Sequence, residues 1–151
     1  MSYSFDTSAL IEPWTRRYPP DLFQPIWGWL ENLVEQGHVA AIDEVRHELH
    51  RQEDELSAWT KSQEKLFVPA SADVQTALRD VLVAFPNLAD HERDRSGADP
   101  WVVAYALSAG RSVVTYETMG KTSKPKIPNA CAHFGIGCLS LVDVLRQTGY
   151  R

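Results

Sequence analysis

Asp6, Glu44, Asp99 and Glu117 are the residues of this chain best suited to do chemistry together. Asp6 closes a short apolar run that starts at Tyr3. Glu44 follows the apolar run 38–42, Asp99 opens an apolar helix, and Glu117 follows the β-branched run 112–115. In open parallel sheets, ligands collect at the carboxyl ends of the strands. Acids gathered there repel one another, and each resists ionisation unless a cation compensates. Hard oxygen donors suit Mg²⁺ or Mn²⁺. Either ion can polarise a phosphodiester and lower the pKa of an attacking water, so no side-chain nucleophile is required.

Neighbouring residues extend this set. Thr7 and Ser8 could hydrogen-bond the acids or a phosphate, or cap the next turn. Asp43 reads as a helix cap. Glu48 sits one helical turn after Glu44 and on the same side, so either could be the ligand. Residues 111–126 contain four basic residues and one acid. Lys121, Lys124 and Lys126 there could meet backbone phosphates, which position a nucleic acid without reading its sequence. Tyr116 could stack on a base.

Several chemistries lack their motifs. The five histidines form no H-E-x-x-H, and no Cys/His zinc spacing occurs. His91 and His133 read as structural. There is no P-loop and no G-x-G-x-x-G. Ser8 has no nucleophile-elbow context. An aspartyl-nucleophile phosphatase wants a second acid two places after the first, where this chain has Ser8. That weakens the reading as a small-molecule phosphoryl hydrolase. A non-catalytic binding or regulatory module is the alternative outside enzymes.

The elements that must position these residues follow from periodicity and punctuation. Strands are expected at residues 3–5, 38–42, 66–68, 112–115 and 136–138. Pro13, Pro19 and Pro20 break the chain into turns. A helix from Asp21 carries Phe23, Ile26, Trp27, Leu30, Leu33 and Val34 at helical spacing and stops at Gly37. Asp43 starts a helix with Val45 and Leu49. Ser71 opens one with Val74, Leu78, Val81, Leu82 and Phe85 on its buried side. The polar stretch LADHERDRSG leads to the helix at Asp99-Pro100, which Gly110 stops. A short helix at 130–134 precedes the last strand. Ser140 and Asp143 form a capping box for the terminal helix. Strands alternating with helices predict a parallel sheet between helical layers.

Composition bounds the rest. At 151 residues the chain suits one domain, residues 1–151. With 44% hydrophobic and 23% charged residues it is not a disordered sequence. A net charge of -5 argues against a non-specific nucleic-acid coat but is compatible with a carboxylate site. Cys131 and Cys138 read as two buried, reduced thiols. Trp14, Trp27 and Trp29 suggest an apolar surface for a partner. No signal peptide or membrane span is expected, which points to the cytoplasm.

The residues FDTSALI (5–11), IDEVRHEL (42–49), GADPWVVAYAL (97–107) and SVVTYE (112–117), in this order and spacing, resemble a PIN domain, the metal-dependent nuclease fold of many VapC-type toxins. KIPNACAHFGIGCLSLVDVL (126–145) resembles an uncharacterised bacterial PIN-like branch. The resemblance implies a three-layer α/β/α sandwich whose five-stranded, mainly parallel sheet has strand order 3-2-1-4-5. It also implies one or two Mg²⁺ or Mn²⁺ ions on Asp6, Glu44, Asp99 and Glu117, with Thr7 or Ser8 at the family's hydroxyl position. The implied activity is endoribonuclease cleavage of RNA leaving a 5′-phosphate and 3′-hydroxyl. The implied setting is a homodimeric toxin restrained by an antitoxin. Family members often carry aspartate where Glu117 stands, and the longer Glu117 reaches further.

Overall fold

The computed structural model describes residues 1–88 and 97–151. Most of LADHERDRSG, His91 included, lies outside the described residues.

Five short strands form one parallel sheet: β1 (Tyr3–Phe5), β2 (Val39–Ile42), β3 (Phe67–Val68), β4 (Ser112–Val114) and β5 (Cys138–Leu139), in order β3-β2-β1-β4-β5. This is the three-layer α/β/α architecture with the expected strand order. Tyr3 pairs with Val39 on one side and Ser112 on the other, which puts β1 at the centre. Every residue of β1 and β2 is buried. Central parallel strands are covered on both faces, so they read as unbroken apolar runs rather than alternating ones.

The helices are α1 (Ser8–Glu12), α2 (Pro20–Glu35), α3 (Asp43–Leu49), α4 (Glu55–Ser62), α5 (Ala72–Ala84), α6 (Asp99–Ala109), α7 (Ile127–Phe134) and α8 (Leu141–Gln147). Helix α6 packs on β1, β2 and β4, with α5 against it. Its residues Val102, Val103, Ala104, Tyr105 and Ala106 are all buried, as a helix with neighbours on several sides requires. Gly110 ends it in the left-handed conformation at φ 66°. Ser71 caps α5 through the Val74 N–H, and the Ser140–Asp143 capping box starts α8.

Several expectations change. Pro13 does not break the chain. Helix α1 runs directly into a π-helical turn, Pro13–Arg17, closed by Tyr18 N–H to Pro13 C=O at 2.7 Å. Pro13 has no N–H to continue the α ladder, and the Thr15 hydroxyl takes the Ile11 carbonyl, so the ladder widens. Helix α2 starts at Pro20 and bends at Phe23, two residues before the internal Pro25. Asp43 is not a cap: it is the first residue of α3, and its Oδ1 accepts from Arg46 Nε at 3.0 Å. Leu82 faces outward on α5, where Ala77 is buried instead. The last strand is shifted to Cys138–Leu139 on the edge of the sheet, so Cys138 is exposed while Cys131 is buried.

The tryptophans are satisfied within the chain rather than forming a bare surface. Trp14, Trp27 and Trp59 pack as a cluster, with Trp14 and Trp27 ring centroids 4.8 Å apart. Trp29 packs on Tyr150 and donates to Thr148.

Candidate functional site

The site is built from chain segments that leave the sheet at its carboxyl edge. Asp6 is the first residue after β1, and its N–H is fixed to the Val114 carbonyl at 3.1 Å. That bond holds the carboxyl group beside the end of β4. The side chain is 2% exposed. Oδ1 accepts from Ser8 Oγ at 2.7 Å and from the Ala9 N–H at 2.8 Å, and Oδ2 accepts from Thr115 Oγ1. Asp6 therefore also anchors the start of α1, as a carboxylate bonded to loop amides would. Those bonds favour the charged form, yet burial outweighs them and pushes the group up to about 7.

Asp99 comes from the opposite direction in the sequence, as the first residue of α6. Its carboxyl is held well above the usual range by burial, then by the charges of Glu117, Asp6 and Glu48. It hydrogen-bonds Glu117, an interaction that raises Asp99 and lowers Glu117. Glu117 is itself raised, chiefly by burial. Its N–H is fixed to Thr115 Oγ1 at 3.0 Å, and its Oε2 is buried with no partner among the described residues.

Of the two candidates on α3, Glu48 joins this group. Its charge acts on both Asp99 and Glu117, and its Oε1 accepts from Thr7 Oγ1. Glu44 is not among the charges acting on Asp6, Asp99 or Glu117, and its Oε2 is buried without a partner among the described residues. Thr7 and Ser8 hydrogen-bond the acids, and neither side chain caps α1. Ser8 Oγ also accepts from the Tyr116 N–H at 2.9 Å, tying the loop after β1 to the loop after β4.

Thr115 is the residue that sequence reasoning passed over. It bonds Asp6 Oδ2 through its hydroxyl, lies 3.3 Å from Ser8 Oγ and receives the Glu117 N–H. Its place at the end of the strand before an acid was the available signal. His133 packs against Phe85 and Phe134, in keeping with a structural role.

The lysine loop is ordered by Asn129. Its Oδ1 accepts from the Gly120 and Lys126 N–H groups at 2.7 and 2.9 Å, and its Nδ2 donates to the Gly120 carbonyl. Lys121 and Lys124 form a single antiparallel bridge, and a Cβ at Gly120 would strike the Lys124 carbonyl. All three lysines are exposed, and Lys126 acts on Glu117.

The donor set is carboxylate and hydroxyl oxygen, the chemistry that Mg²⁺ and Mn²⁺ favour, and it includes a buried, unpartnered oxygen on Glu117. Among the described residues, no three acidic, histidine or cysteine side chains form a ready-made ion cage. By donor type and by excess negative charge the residues suit a divalent ion.

Sheet order and strand exits define a PIN-like α/β/α fold. VapBC2 from Rickettsia felis, in a crystal structure bound to a DNA fragment from their promoter, matches at TM-score 0.52 and 12% identity, over 93% of this chain and 98% of that chain. At that identity the likeness carries the fold alone. The chain belongs to the family described as domain of unknown function (DUF4411), whose model matches residues 3–151. No curated protein matches the sequence. No described helix is long and apolar enough to cross a membrane.

Proposed function

We propose that this protein is a metal-dependent endoribonuclease, with Asp6, Asp99, Glu117 and Glu48 as the acids that take one or two Mg²⁺ or Mn²⁺ ions. The observation that carries this reading is the crowding of raised carboxyls at one end of the sheet. A protein has little reason to bury mutually repelling acids unless a cation relieves them, and perturbed acids mark functional sites. A bound ion would supply electrophilic polarisation of the phosphoryl group and a lowered pKa for the attacking water.

The chain's own residues do the rest. Thr115 and Ser8 orient the Asp6 carboxylate through its two oxygens. Thr7 orients Glu48, and the Thr115 hydroxyl fixes the backbone at Glu117. Asp99 and Glu117 would hold a bound ion through their carboxylates once the proton they share had left. Lys126, with Lys121 and Lys124, contacts backbone phosphates beside the acids. The PIN-like fold makes RNA the favoured substrate. The proposed setting is a cytoplasmic, homodimeric toxin held by an antitoxin protein, within a single domain. Glu44 also carries a buried oxygen without a partner among the described residues, and Glu48 is preferred because its charge acts on Asp99 and Glu117.

A non-catalytic module is the second reading, and the absence of a three-residue cage among the described residues favours it. Incubation with mixed RNA and DNA in Mn²⁺ or Mg²⁺, against EDTA, separates the two. The expected result is RNA cleavage that needs metal and disappears in Asp6→Asn. Cleavage unchanged in that variant would remove the mechanism, and no cleavage by the natural sequence would leave the module.

A further inference from the structure

A site made of acids repels the phosphates of its own substrate, so the strand needs cations outside the acid cluster. The lysine loop is one source. The π-helical turn Pro13–Arg17 supplies another that the sequence pattern does not disclose.

The π turn ends at Arg17, whose guanidinium carbon lies 4.5 Å from the centroid of the Tyr116 ring. Isolated π turns recur at functional sites, because the added residue re-aims the side chains that follow it. Arg17 is exposed, and among the described residues it has no carboxylate within ion-pair distance. The nearby Glu12 is engaged instead by Arg16, at 3.9 Å. The stack on Tyr116 restricts the side chain yet leaves the donors at the guanidinium edge available. That is how an arginine is pre-organised for a planar, two-oxygen acceptor.

Tyr116 also links Arg17 to the site. Its N–H donates to Ser8 Oγ, which donates to Asp6 Oδ1, and its chain neighbour is Glu117. Arg17 thus stands off the acid cluster along a rigid path. Arg17 is not among the charges acting on Asp6, Asp99 or Glu117, so its guanidinium stands over the Tyr116 ring and apart from the acids.

We propose that Arg17, held over Tyr116, grips a backbone phosphate of single-stranded RNA outside the linkage being cut. This rests on the nuclease reading above. Arg17 is a substrate-binding residue with no part in the chemical step.

The test is steady-state cleavage of a labelled single-stranded RNA in Mn²⁺ over a series of NaCl concentrations, for the natural sequence, Arg17→Ala, Arg17→Lys and Arg16→Ala. Arg17→Ala is expected to raise KM roughly tenfold, with kcat within about twofold because the group does no chemistry. Its log–log salt dependence of kcat/KM should be shallower by about 0.7, the loss of one phosphate contact on a single strand. Arg17→Lys should keep the salt slope with a smaller rise in KM, and Arg16→Ala should match the natural sequence. An unchanged KM and salt slope in Arg17→Ala, or the same change in Arg16→Ala, overturns the proposal while the nuclease reading stands. A fall in melting temperature and kcat together would make Arg17 structural and overturn it too. Absence of RNA cleavage by the natural sequence would remove both readings, a result distinct from the others.

Discussion

At the edge of the sheet where the strands begin, one cation is held by the chain. Arg111, just before β4, donates to the carbonyls of Tyr3 and His38 at 3.1 and 3.4 Å and of Gly37 at 3.1 Å, and lies over the Tyr105 ring. At the edge where the strands end, Asp6, Asp99, Glu117 and Glu48 gather with hydroxyls and one lysine near them. Both edges concentrate charge in a partly buried place. At the first, carbonyls of the chain itself hold the charge. The other gathers carboxyls raised chiefly by burial and leaves Glu117 Oε2 buried without a partner among the described residues.

The largest effect separates the edges by activity. Asp6→Asn and Asp99→Asn should each lower metal-dependent RNA cleavage by at least about a hundredfold, because each removes charge that would hold the proposed ion. Arg111→Ala should leave kcat/KM within about threefold. Equal losses at both edges would break the comparison. Within the acid edge, Glu48→Gln should cost roughly 10- to 100-fold in activity or Mn²⁺ affinity, and Glu44→Gln within about threefold. The reverse order would return the ligand role to Glu44.

The pH dependence of stability sharpens the contrast further. Asp6, Asp99 and Glu117 are raised in the folded state, so the folded protein binds more protons than the unfolded chain. The stabilising effect of protonation is present in full at low pH. It is lost as pH rises from the unfolded carboxylate range through the raised values. Asp6 alone, moving from 3.8 to about 7, corresponds to roughly 4 kcal/mol across that window. Melting curves of EDTA-treated protein between pH 4.5 and 8.5 should fall by on the order of 10 °C with rising pH. Mn²⁺ should flatten the curve at the alkaline end, and Asp99→Asn should flatten it without metal. A level profile in EDTA would contradict the proton-holding account. The smallest effect belongs to the closed edge. Arg111→Ala should lower unfolding free energy by about 1–3 kcal/mol, independent of Mn²⁺, by removing its hydrogen bonds to the Tyr3, Gly37 and His38 carbonyls, the last of which keeps the Tyr3 N–H.

The closed and open edges were not equally legible. The acid edge is announced by single charges after apolar runs, because a buried parallel strand tolerates polarity only where it ends, as at Asp6 and Glu117. Arg111 gave no such sign, since its carbonyl partners have no sequence signature. Glu44 and Glu48 share one helix face, so residue type and spacing did not separate them, whereas in the structure the charge of Glu48 acts on Asp99 and Glu117. Thr115 was hidden inside a β-branched run that strand propensity already explains. Pro13 read as a breaker because a π turn depends on which carbonyl the ladder takes next, which residue type alone does not fix. Cys138 read as buried because its neighbours are apolar, whereas β5 lies at the sheet edge.

Proton release on loading tests the acid edge most directly. Calorimetric titration of the natural sequence with Mn²⁺ at pH 7, in two buffers of different ionisation enthalpy, measures it. Saturable binding should release on the order of one proton per protein, chiefly from Asp99 with a share from Asp6. That release should fall in Asp99→Asn. Absence of binding, or binding whose heat is the same in both buffers, would contradict the account.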